Sequence, residues 1–283
     1  MREAPTARTL PGNRLHLQHG PIDVVLRAWG EPPAVAAAHD AAASRFRSVL
    51  DELVAELPEL RKAMAEGPRV QGPVARRMVA ACEPHRGVFV TPMAAVAGAV
   101  ADELLAAMTS AAPLGKAFVN DGGDIAVHLA EGEAMGIGVA ADFSRGPVPA
   151  LNGRVALRAG DGIGGIATSG RQGRSLSFGI ADSATALART AAEADVAATL
   201  IANAVDLPGH PAVERLPASA FDPDSDLGGR PVTVSVGPLS PREVAAALAS
   251  GRARAEAMRA GGLLRDAALS LRGQVAALEE GAA

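Results

Sequence analysis

The segment 91–108, TPMAAVAGAVADELLAAM, restricts the fold more than any other stretch, because most of its side chains are small. Thr91 followed by Pro92 is typical of a helix start, with a hydroxyl cap and proline in the first turn. The pattern predicts a helix that ends at about Met108. Gly98 inside a helix costs about 1 kcal/mol relative to alanine. With its alanine neighbours, Gly98 predicts that another backbone packs closely here, as when a helix lies tightly on a sheet.

Further helices are predicted over 32–57, over 184–205 and over pieces of 240–283. The first has an apolar face, since apolar residues recur every three or four positions. The second is capped at Asp182 or Ser183. A capping box of Ser240 and Glu243 opens the third region, which glycines then interrupt. The segment 66–87 is predicted to be a loose connection.

Strand-like runs are predicted over 14–28 in two pieces, 116–129, 134–143, 154–170, 175–181 and 230–236. These runs do not alternate one-to-one with helices. The order therefore favours an α+β fold with a largely antiparallel sheet over a doubly wound fold. We expect a single domain over 1–283, with halves at about 1–115 and 116–240 followed by a helical segment, 240–283.

Composition excludes several classes of function. The net charge of −4 removes the usual electrostatic argument for nucleic acid, and 2% aromatic residues leave few rings for stacking on bases. The single cysteine, Cys82, excludes an internal disulfide and a cysteine-rich zinc site. Charges interrupt every apolar run, so no membrane span is expected. The N-terminus lacks an apolar core of a signal peptide, which favours a cytoplasmic protein.

The glycine run GDGIGG at 160–165 has the spacing of a dinucleotide-binding loop. The residues that follow are IATSG, which do not begin a helix, so no helix N-terminus would receive a pyrophosphate. The run therefore favours a glycine-rich hairpin turn.

A second glycine turn joins two strand-like runs at residues 120–124. Asp-Gly and Gly-Gly supply the positive φ that a tight turn requires. The same bare backbone at Gly122 and Gly123 would let a ligand approach, with Asn120 and Asp124 offering polar side chains. Spacing alone favours the structural interpretation without excluding the functional one.

The loop 167–177 concentrates small residues, hydroxyls and two arginines. Backbone N–H groups and guanidinium groups of this kind suit a phosphate or a carboxylate. A mobile polar loop is the equal alternative. The candidate ligand-binding residues are Thr168, Ser169, Gly170, Gly173, Arg174 and Ser175, with Arg171 as a second candidate for the phosphates.

Asp195 is the most informative single residue, because it lies inside an apolar, alanine-rich helix. Thr199 follows four residues later, so both side chains point to one face. A carboxylate there requires a cation or several hydrogen-bond donors. Aspartate and threonine oxygens are hard ligands that suit Mg²⁺ completed by water and a substrate phosphate. Pairing of Asp195 with an arginine is the alternative.

Several motifs together resemble the ApbE-like superfamily, named for flavin transferases that move FMN from FAD to a protein threonine. The resemblance is closer to a conserved branch of uncharacterised activity. The motifs are TPMAAVAGAVADE (91–103), FVNDGGDIAV (118–127), GIATSGRQGRSLSFGIAD (165–182), AEADVAATLIAN (192–203), VGPLSPREVAAAL (236–248) and ALSLRG (268–273). The resemblance implies a T-fold-related α+β architecture with two similar sheet-plus-helix halves and a cleft between them.

The resemblance also implies roles for particular residues. In the flavin transferases an aspartate and a threonine on a late helix bind Mg²⁺, and these positions match Asp195 and Thr199. The Asn-x-Gly-Gly-Asp turn and the Thr-Ser-Gly loop border the nucleotide, matching 120–124 and 168–170. The implied cofactors are Mg²⁺ and FAD or FMN. The transferases also carry a His-x-x-Asp-Pro-x-Thr-Gly stretch, which is missing from 174–193 here.

Three hypotheses follow from these observations. The first is Mg²⁺-dependent binding and turnover of a phosphorylated or nucleotide-like small molecule, related to FMN transfer but without the full transferase motif. The second is a non-catalytic ligand-binding or regulatory module. The third is a structural protein, against which the SLSFG loop and Asp195 argue because neither is needed for packing. No catalytic base is identified, and a homodimer is a further expectation from the alanine-rich helices.

Overall fold

The computed structural model describes residues 4–142, 150–173 and 175–278. The helices in these residues are Pro32–Ala55 (α1), Leu57–Leu60 (α2), Pro73–Cys82 (α3), Val96–Ala111 (α4), Ala191–Ala204 (α5) and Pro241–Ala260 (α6). The strands are Thr6–Leu10 (β1), Arg14–His19 (β2), Ile22–Trp29 (β3), Lys116–Asp121 (β4), Asp124–Leu129 (β5), Ala134–Asp142 (β6), Ala150–Arg158 (β7), Gly165–Ser169 (β8), Ser183–Ala188 (β9), Val213–Pro217 (β10), Pro231–Val236 (β11), Asp266–Leu271 (β12) and Gln274–Ala277 (β13).

Two compact units divide the chain, and each takes segments that are distant in sequence. The first unit contains Met1–Gly136, Ala156–Ala167 and Ala188–Asp195. The second contains Ile137–Val155, Thr168–Leu187 and Val196–Ala283. The expectation of a single domain with halves that meet near residue 115 stays a prediction.

The sheet of the first unit is an antiparallel meander. Strands β1 to β5 pair in sequence order, and β8 pairs with the free edge of β5 through Ile125 with Ile166 and Ala126 with Gly165. In the second unit β12 pairs antiparallel with β9 and with β13, and β10 and β11 form a bulged hairpin. The α+β class with antiparallel sheets is confirmed. The cleft and the T-fold relationship stay predictions.

The core of the first unit is aliphatic, since the chain has no tyrosine and one tryptophan. Phe46 on α1 is 1% exposed and is one of the largest fully buried side chains. Leu26 on β3, Met78 on α3 and Leu104 on α4 are fully buried with it. With few rings available, small aliphatic residues let helices and sheet approach closely.

Several sequence predictions are confirmed at the level of whole elements. The two pieces within 14–28 are β2 and β3, and the helix from Pro32 is α1 followed by α2. A 3₁₀ turn, Pro92–Ala95, precedes α4, although the Thr91 side chain makes no cap hydrogen bond. The capping box is present, because the Ser240 Oγ accepts a hydrogen bond from the Glu243 N–H and the Glu243 carboxylate accepts one from the Ser240 N–H.

The predicted long helix over 184–205 is wrong in its first third. Residues Ser183–Ala188 form β9, all six of them buried, and α5 begins only at Ala191. Alanine fits a helix or a buried strand, so the local sequence did not distinguish them, and pairing with β12 selects the strand. The predicted strand over 175–181 is also absent, since these residues form bends and irregular backbone.

Three other expectations differ from the structure. The segment 66–87 contains helix α3, which begins with Pro73 in its first turn. Helix α6 continues through Gly251, and the hairpin of β12 and β13 follows it where helical pieces were expected. The glycine run 160–165 connects β7, which pairs with β6, to β8, which pairs with β5, so it is not a hairpin turn.

One stretch, Pro92–Ala111, is long and apolar enough to cross a membrane by length and composition, with a mean hydropathy of 1.3. Two charged residues, Asp102 and Glu103, interrupt this stretch, as expected from the sequence. Its helix α4 contacts α1, β4 and β5 and buries Val100, Leu104 and Met108. A core helix of this kind satisfies the same criteria, so the stretch is weak evidence for a membrane span.

Candidate functional site

The turn between β4 and β5 carries the first group of predicted site residues. Gly122 and Gly123 have φ angles of 64° and 119°, which favour glycine. The Asn120 Oδ1 accepts a hydrogen bond of 2.8 Å from the Gly123 N–H. Asp121 and Asp124 are partners in the last pair of the ladder. The tight turn is thus confirmed, and among the described residues no heavy atom lies within 4 Å of the place of a Gly123 Cβ, so its backbone is accessible.

Asp195 lies one turn into α5, which begins at Ala191, and not deep inside a longer helix. Its Oδ2 accepts a hydrogen bond of 3.1 Å from the Gly98 N–H of α4, and the Ala97 N–H also donates to the carboxylate. Part of the Asp195 surface stays exposed. The carboxylate is therefore held by two backbone amides of α4.

The close approach predicted at Gly98 is confirmed, and its partner is the first turn of α5. A Cβ at Gly98 would lie 2.3 Å from the Ala191 carbonyl oxygen and 2.7 Å from the Ala192 nitrogen. Real Cβ atoms do not approach backbone atoms this closely, so glycine is required. The small-residue pattern of α4 thus lets its backbone reach the Asp195 carboxylate.

Negative charge is concentrated around Asp195. Burial raises the pKa of Asp195 well above its ordinary value, and the nearby Asp124 and Asp121 carboxylates raise it further, against the hydrogen bonds from Gly98 and Ala97. Burial also raises the pKa of the Cys82 thiol, with Asp195 as the second cause. Within the described chain no arginine or lysine counters the Asp195 charge. The arginine-paired alternative is therefore not what this part of the structure shows.

The three aspartates do not form a closed metal cage. In the described part of the chain, no three His, Cys, Asp or Glu side chains are arranged to hold a metal ion. Magnesium usually keeps several waters and uses one or two carboxylates with substrate phosphates. Thr199 lies four residues after Asp195 on α5, on the same helix face. Their oxygens fit that kind of site by donor chemistry, and the magnesium site stays a prediction.

The loop after β8 is braced internally in the second unit. The Thr168 and Thr185 hydroxyls are 2.8 Å apart, and the Gly173 N–H donates to the Gly170 carbonyl at 3.0 Å. A Cβ at Gly170 would lie 2.4 Å from the Asp182 carbonyl oxygen. Gly170 is therefore explained by backbone packing. Ser169 is half-buried and Ser175 is exposed, whereas Arg174 lies outside the described residues.

Arg171, a second candidate for the phosphates, is already engaged. A terminal nitrogen of its guanidinium donates to the Asp182 Oδ1 at 2.9 Å, and its backbone N–H donates to the Ala181 carbonyl. The other Asp182 oxygen accepts a 2.6 Å hydrogen bond from the Arg272 N–H. Asp182, expected as a helix cap, instead ties this loop to the β12–β13 turn.

The SLSFG segment has a packing role that its sequence did not indicate. The Asn203 Oδ1 of α5 accepts hydrogen bonds from the Phe178 N–H at 3.0 Å and the Ser177 hydroxyl at 3.2 Å. A Cβ at Gly179 would lie 2.1 Å from the Ala202 carbonyl oxygen. This segment therefore no longer argues against a structural protein, and Asp195 alone carries that argument.

The predicted site residues are divided between the two units. Asn120, Gly122, Gly123, Asp124 and Asp195 belong to the first unit, and the loop 168–175 and Thr199 belong to the second. The convergence of the two groups stays a prediction.

Sequence reasoning missed Asp102, whose carboxylate accepts hydrogen bonds from the first amides of α5. Its spacing of four residues from Gly98 was the available signal, because it places both on one face of α4.

Two solved structures are similar over most of this chain. The ApbE protein of Thermotoga maritima gives a TM-score of 0.41 at 17% identity, with 90% of this chain and 78% of that chain covered. The flavinyl transferase ApbE of Pseudomonas stutzeri, in its apo form, gives a TM-score of 0.42 at 15% identity, with 99% of this chain and 96% of that chain covered.

Sequence relatives include UPF0280 proteins of archaea. One from Methanopyrus kandleri is 36% identical over 183 residues, which are 64% of this chain and 69% of the relative. One from Methanothrix thermoacetophila is 40% identical over 134 residues, 47% of this chain and 52% of the relative. One from Methanosphaerula palustris is 35% identical over 182 residues, which are 62% of this chain and 71% of the relative. The chain thus spans between half and about seven tenths of these relatives.

A family model described as AbpE bacteria matches residues 7–277. This match includes all the motifs on which the ApbE-like resemblance depends. The chain therefore belongs to this bacterial AbpE family, the ApbE-like branch that its motifs predicted.

Proposed function

We propose that this protein binds Mg²⁺ at Asp195 and, next to it, a phosphorylated or nucleotide-like small molecule. We propose further that it turns this molecule over in a reaction related to the transfer of FMN from FAD. Asp195 and Thr199 would bind the metal, and FAD or FMN are the first ligands to test. A cytoplasmic location fits this function.

The main support for the proposal is the environment of the Asp195 carboxylate. Asp195 is a part-exposed residue, and Asp121 and Asp124 increase the negative potential around its carboxylate. Neighbouring carboxylates disfavour one another's ionised forms, as the raised pKa of Asp195 indicates, and a divalent cation would offset that repulsion. Groups with strongly perturbed pKa values are concentrated at functional sites.

The chain's own residues would orient the ligand and the metal. The Gly98 and Ala97 N–H groups hold the Asp195 carboxylate in one orientation. The accessible backbone of Gly123 could approach a phosphate or a sugar closely, and Asn120 fixes that turn. When bound, Mg²⁺ would supply stabilisation of negative charge on the leaving phosphate.

The loop 168–175 would contribute the phosphate donors. Because the Arg171 guanidinium pairs with Asp182 and the Arg171 and Gly173 N–H groups bond within the protein, fewer donors remain than the sequence suggested. We expect Arg174 and the Ser169 and Ser175 hydroxyls to carry this role. The alanine variant of Arg174 should weaken ligand binding more than that of Arg171.

A thermal-shift experiment tests the proposal. FAD, FMN and ADP are each added with and without Mg²⁺, since a ligand at 100 times its Kd stabilises the folded state by about 2.7 kcal/mol. We expect stabilisation that depends on Mg²⁺ and is lost in Asp195→Asn. The matched control is Asp224→Asn, which alters an exposed aspartate. The absence of a shift with any ligand, or an unchanged shift in Asp195→Asn, would contradict the proposal.

A non-catalytic ligand-binding module is the second candidate, and one observation favours it. Transferases carry their His-x-x-Asp-Pro-x-Thr-Gly stretch in the interval where this chain has the buried strand β9. An assay of flavin transfer to a threonine-containing acceptor separates the two. Mg²⁺-dependent binding without transfer would support the second candidate.

A further inference from the structure

Every backbone N–H group in the first turn of α5 donates a hydrogen bond, and the acceptors belong to Thr190 and Asp102. The first four N–H groups of a helix have no partner within it. Thr190 supplies two acceptors, because its hydroxyl accepts from the Glu193 N–H at 3.1 Å and its carbonyl accepts from the Ala194 N–H at 3.1 Å. The Ala191 and Ala192 N–H groups remain.

Asp102 of α4 completes this set from a distant part of the chain. Its Oδ1 accepts a hydrogen bond of 3.0 Å from the Ala191 N–H, and its Oδ2 accepts one of 2.9 Å from the Ala192 N–H. A carboxylate at this end also interacts favourably with the helix dipole. Asp102 is therefore a second N-terminal cap for α5, supplied by another helix.

The contact between α4 and α5 is reciprocal. Gly98 and Asp102 are four residues apart and share a face of α4. The Gly98 N–H donates to Asp195, and α5 donates its first two amides to Asp102. Gly98 also lets the two backbones meet without a side chain between them. These bonds together fix the rotation of the first turn of α5 and the position of its fifth residue, Asp195.

We propose that Asp102 is a positioning residue that holds the Asp195 carboxylate in its metal-binding place through the first turn of α5. This inference rests on the proposed Mg²⁺ site. Asp102 is itself part-buried. The next residue, Glu103, forms ion pairs with Arg45 and Arg77, and these pairs also hold α4 in place. Residues that orient a metal ligand typically change metal affinity about 10- to 100-fold when they are replaced.

The test compares Asp102→Ala, Asp102→Asn and Met108→Ala in the full chain. Asparagine keeps one acceptor oxygen for the α5 amides. Met108→Ala is the matched control, because it removes a fully buried side chain from the same helix. It should lower the Tm through lost packing, without altering the first turn of α5.

Two measurements separate positioning from general stability. The Mg²⁺ Kd is measured by calorimetry with the metal alone, and exchange of the Gly98 amide is measured by NMR without metal. Asp102→Ala should weaken Mg²⁺ binding about tenfold and speed Gly98 exchange about tenfold. Asp102→Asn should show a smaller effect on both. Met108→Ala should lower the Tm and leave both close to wild type.

The outcomes distinguish this proposal from the proposed function. If Asp102→Ala lowers the Tm but matches Met108→Ala in both measurements, Asp102 has only a structural role and the proposal is overturned. If wild type binds no Mg²⁺, the proposed function fails, and Gly98 exchange alone then decides whether Asp102 positions Asp195. If Asp102→Ala does not fold, Asp102→Asn supplies the comparison, and wild-type values in that variant overturn the proposal.

Discussion

The backbone N–H of Gly98 donates a 3.1 Å hydrogen bond to the carboxylate of Asp195, 97 residues later in the chain. Glycine is the only residue type that fits at position 98, because any Cβ would collide with the carbonyl oxygen of Ala191. The missing side chain on α4 makes room for the backbone of the first turn of α5, and this close approach accompanies the hydrogen bond to Asp195.

Replacement of this glycine should be strongly destabilising. Gly98→Ala places a Cβ 2.3 Å from a backbone oxygen, so α4 and α5 must move apart. Overpacking of this kind costs about 1–3 kcal/mol. Urea denaturation measures the loss. The control is Gly87→Ala, where the structure has nothing within 4 Å of the new Cβ and the change should stay within about 0.5 kcal/mol. Similar losses in both variants would contradict the close approach.

Asp195→Asn should stabilise the protein in metal-free buffer at neutral pH. The folded-state pKa of Asp195 is raised above its unfolded value, so the folded state binds the proton more tightly. Stability due to this group therefore falls as pH rises from the unfolded pKa towards the folded one. The variant lacks this loss of stability, and single stabilising substitutions commonly gain about 0.5–2 kcal/mol.

Thermal unfolding with EDTA, from pH 4 to pH 8, checks this prediction. The difference between Asp195→Asn and wild type should increase with pH and become small near pH 4. Asp224→Asn, which alters an exposed side chain, should show no such trend. A variant less stable than wild type at pH 8 would mean that the Asp195 charge is favourable in the folded protein.

The start of α6 should lose stability in acid. The His210 ring hydrogen-bonds the Glu243 carboxylate at 3.0 Å, and this bond, followed by those with Ser240, lowers the pKa of Glu243 to about 2. Because the Glu243 pKa is lower in the folded protein, its ionised carboxylate stabilises the fold above the unfolded pKa of 4.5. This stabilisation is lost as pH falls through 4.5 towards 2. Glu243→Gln should therefore lower the Tm at pH 6, and the difference from wild type should shrink below pH 4. A constant difference would exclude the ionised carboxylate as its source.

Asn203 should be needed to hold the segment 177–179. Asn203→Ala removes the oxygen that accepts from the Phe178 N–H and the Ser177 hydroxyl. Leaving such groups unsatisfied costs about 1–3 kcal/mol. Asn203→Asp is the control, since it keeps the acceptor oxygens. Hydrogen exchange of the Phe178 amide should accelerate in the alanine variant and not in the aspartate variant. Equal protection in both would show that Asn203 does not hold this segment.

The local sequence was sufficient where one residue type is physically required. Gly122 and Gly123 take positive φ in a tight turn, Ser240 and Glu243 cap a helix, and Gly98 permits close packing. Asp195 was recognisable because a carboxylate among alanines requires a partner. Motifs at fixed spacing were sufficient for the family, since the match spans residues 7–277.

Tertiary structure decided what alanine-rich segments cannot encode locally. Ser183–Ala188 is a strand because β12 pairs with it, although its alanines suit a helix equally well. Arg171 is engaged because Asp182 lies beside it, and Asp102 caps α5 from 89 residues away. Small side chains carry little information about their neighbours, so these choices depend on hydrogen bonds and close contacts between distant segments.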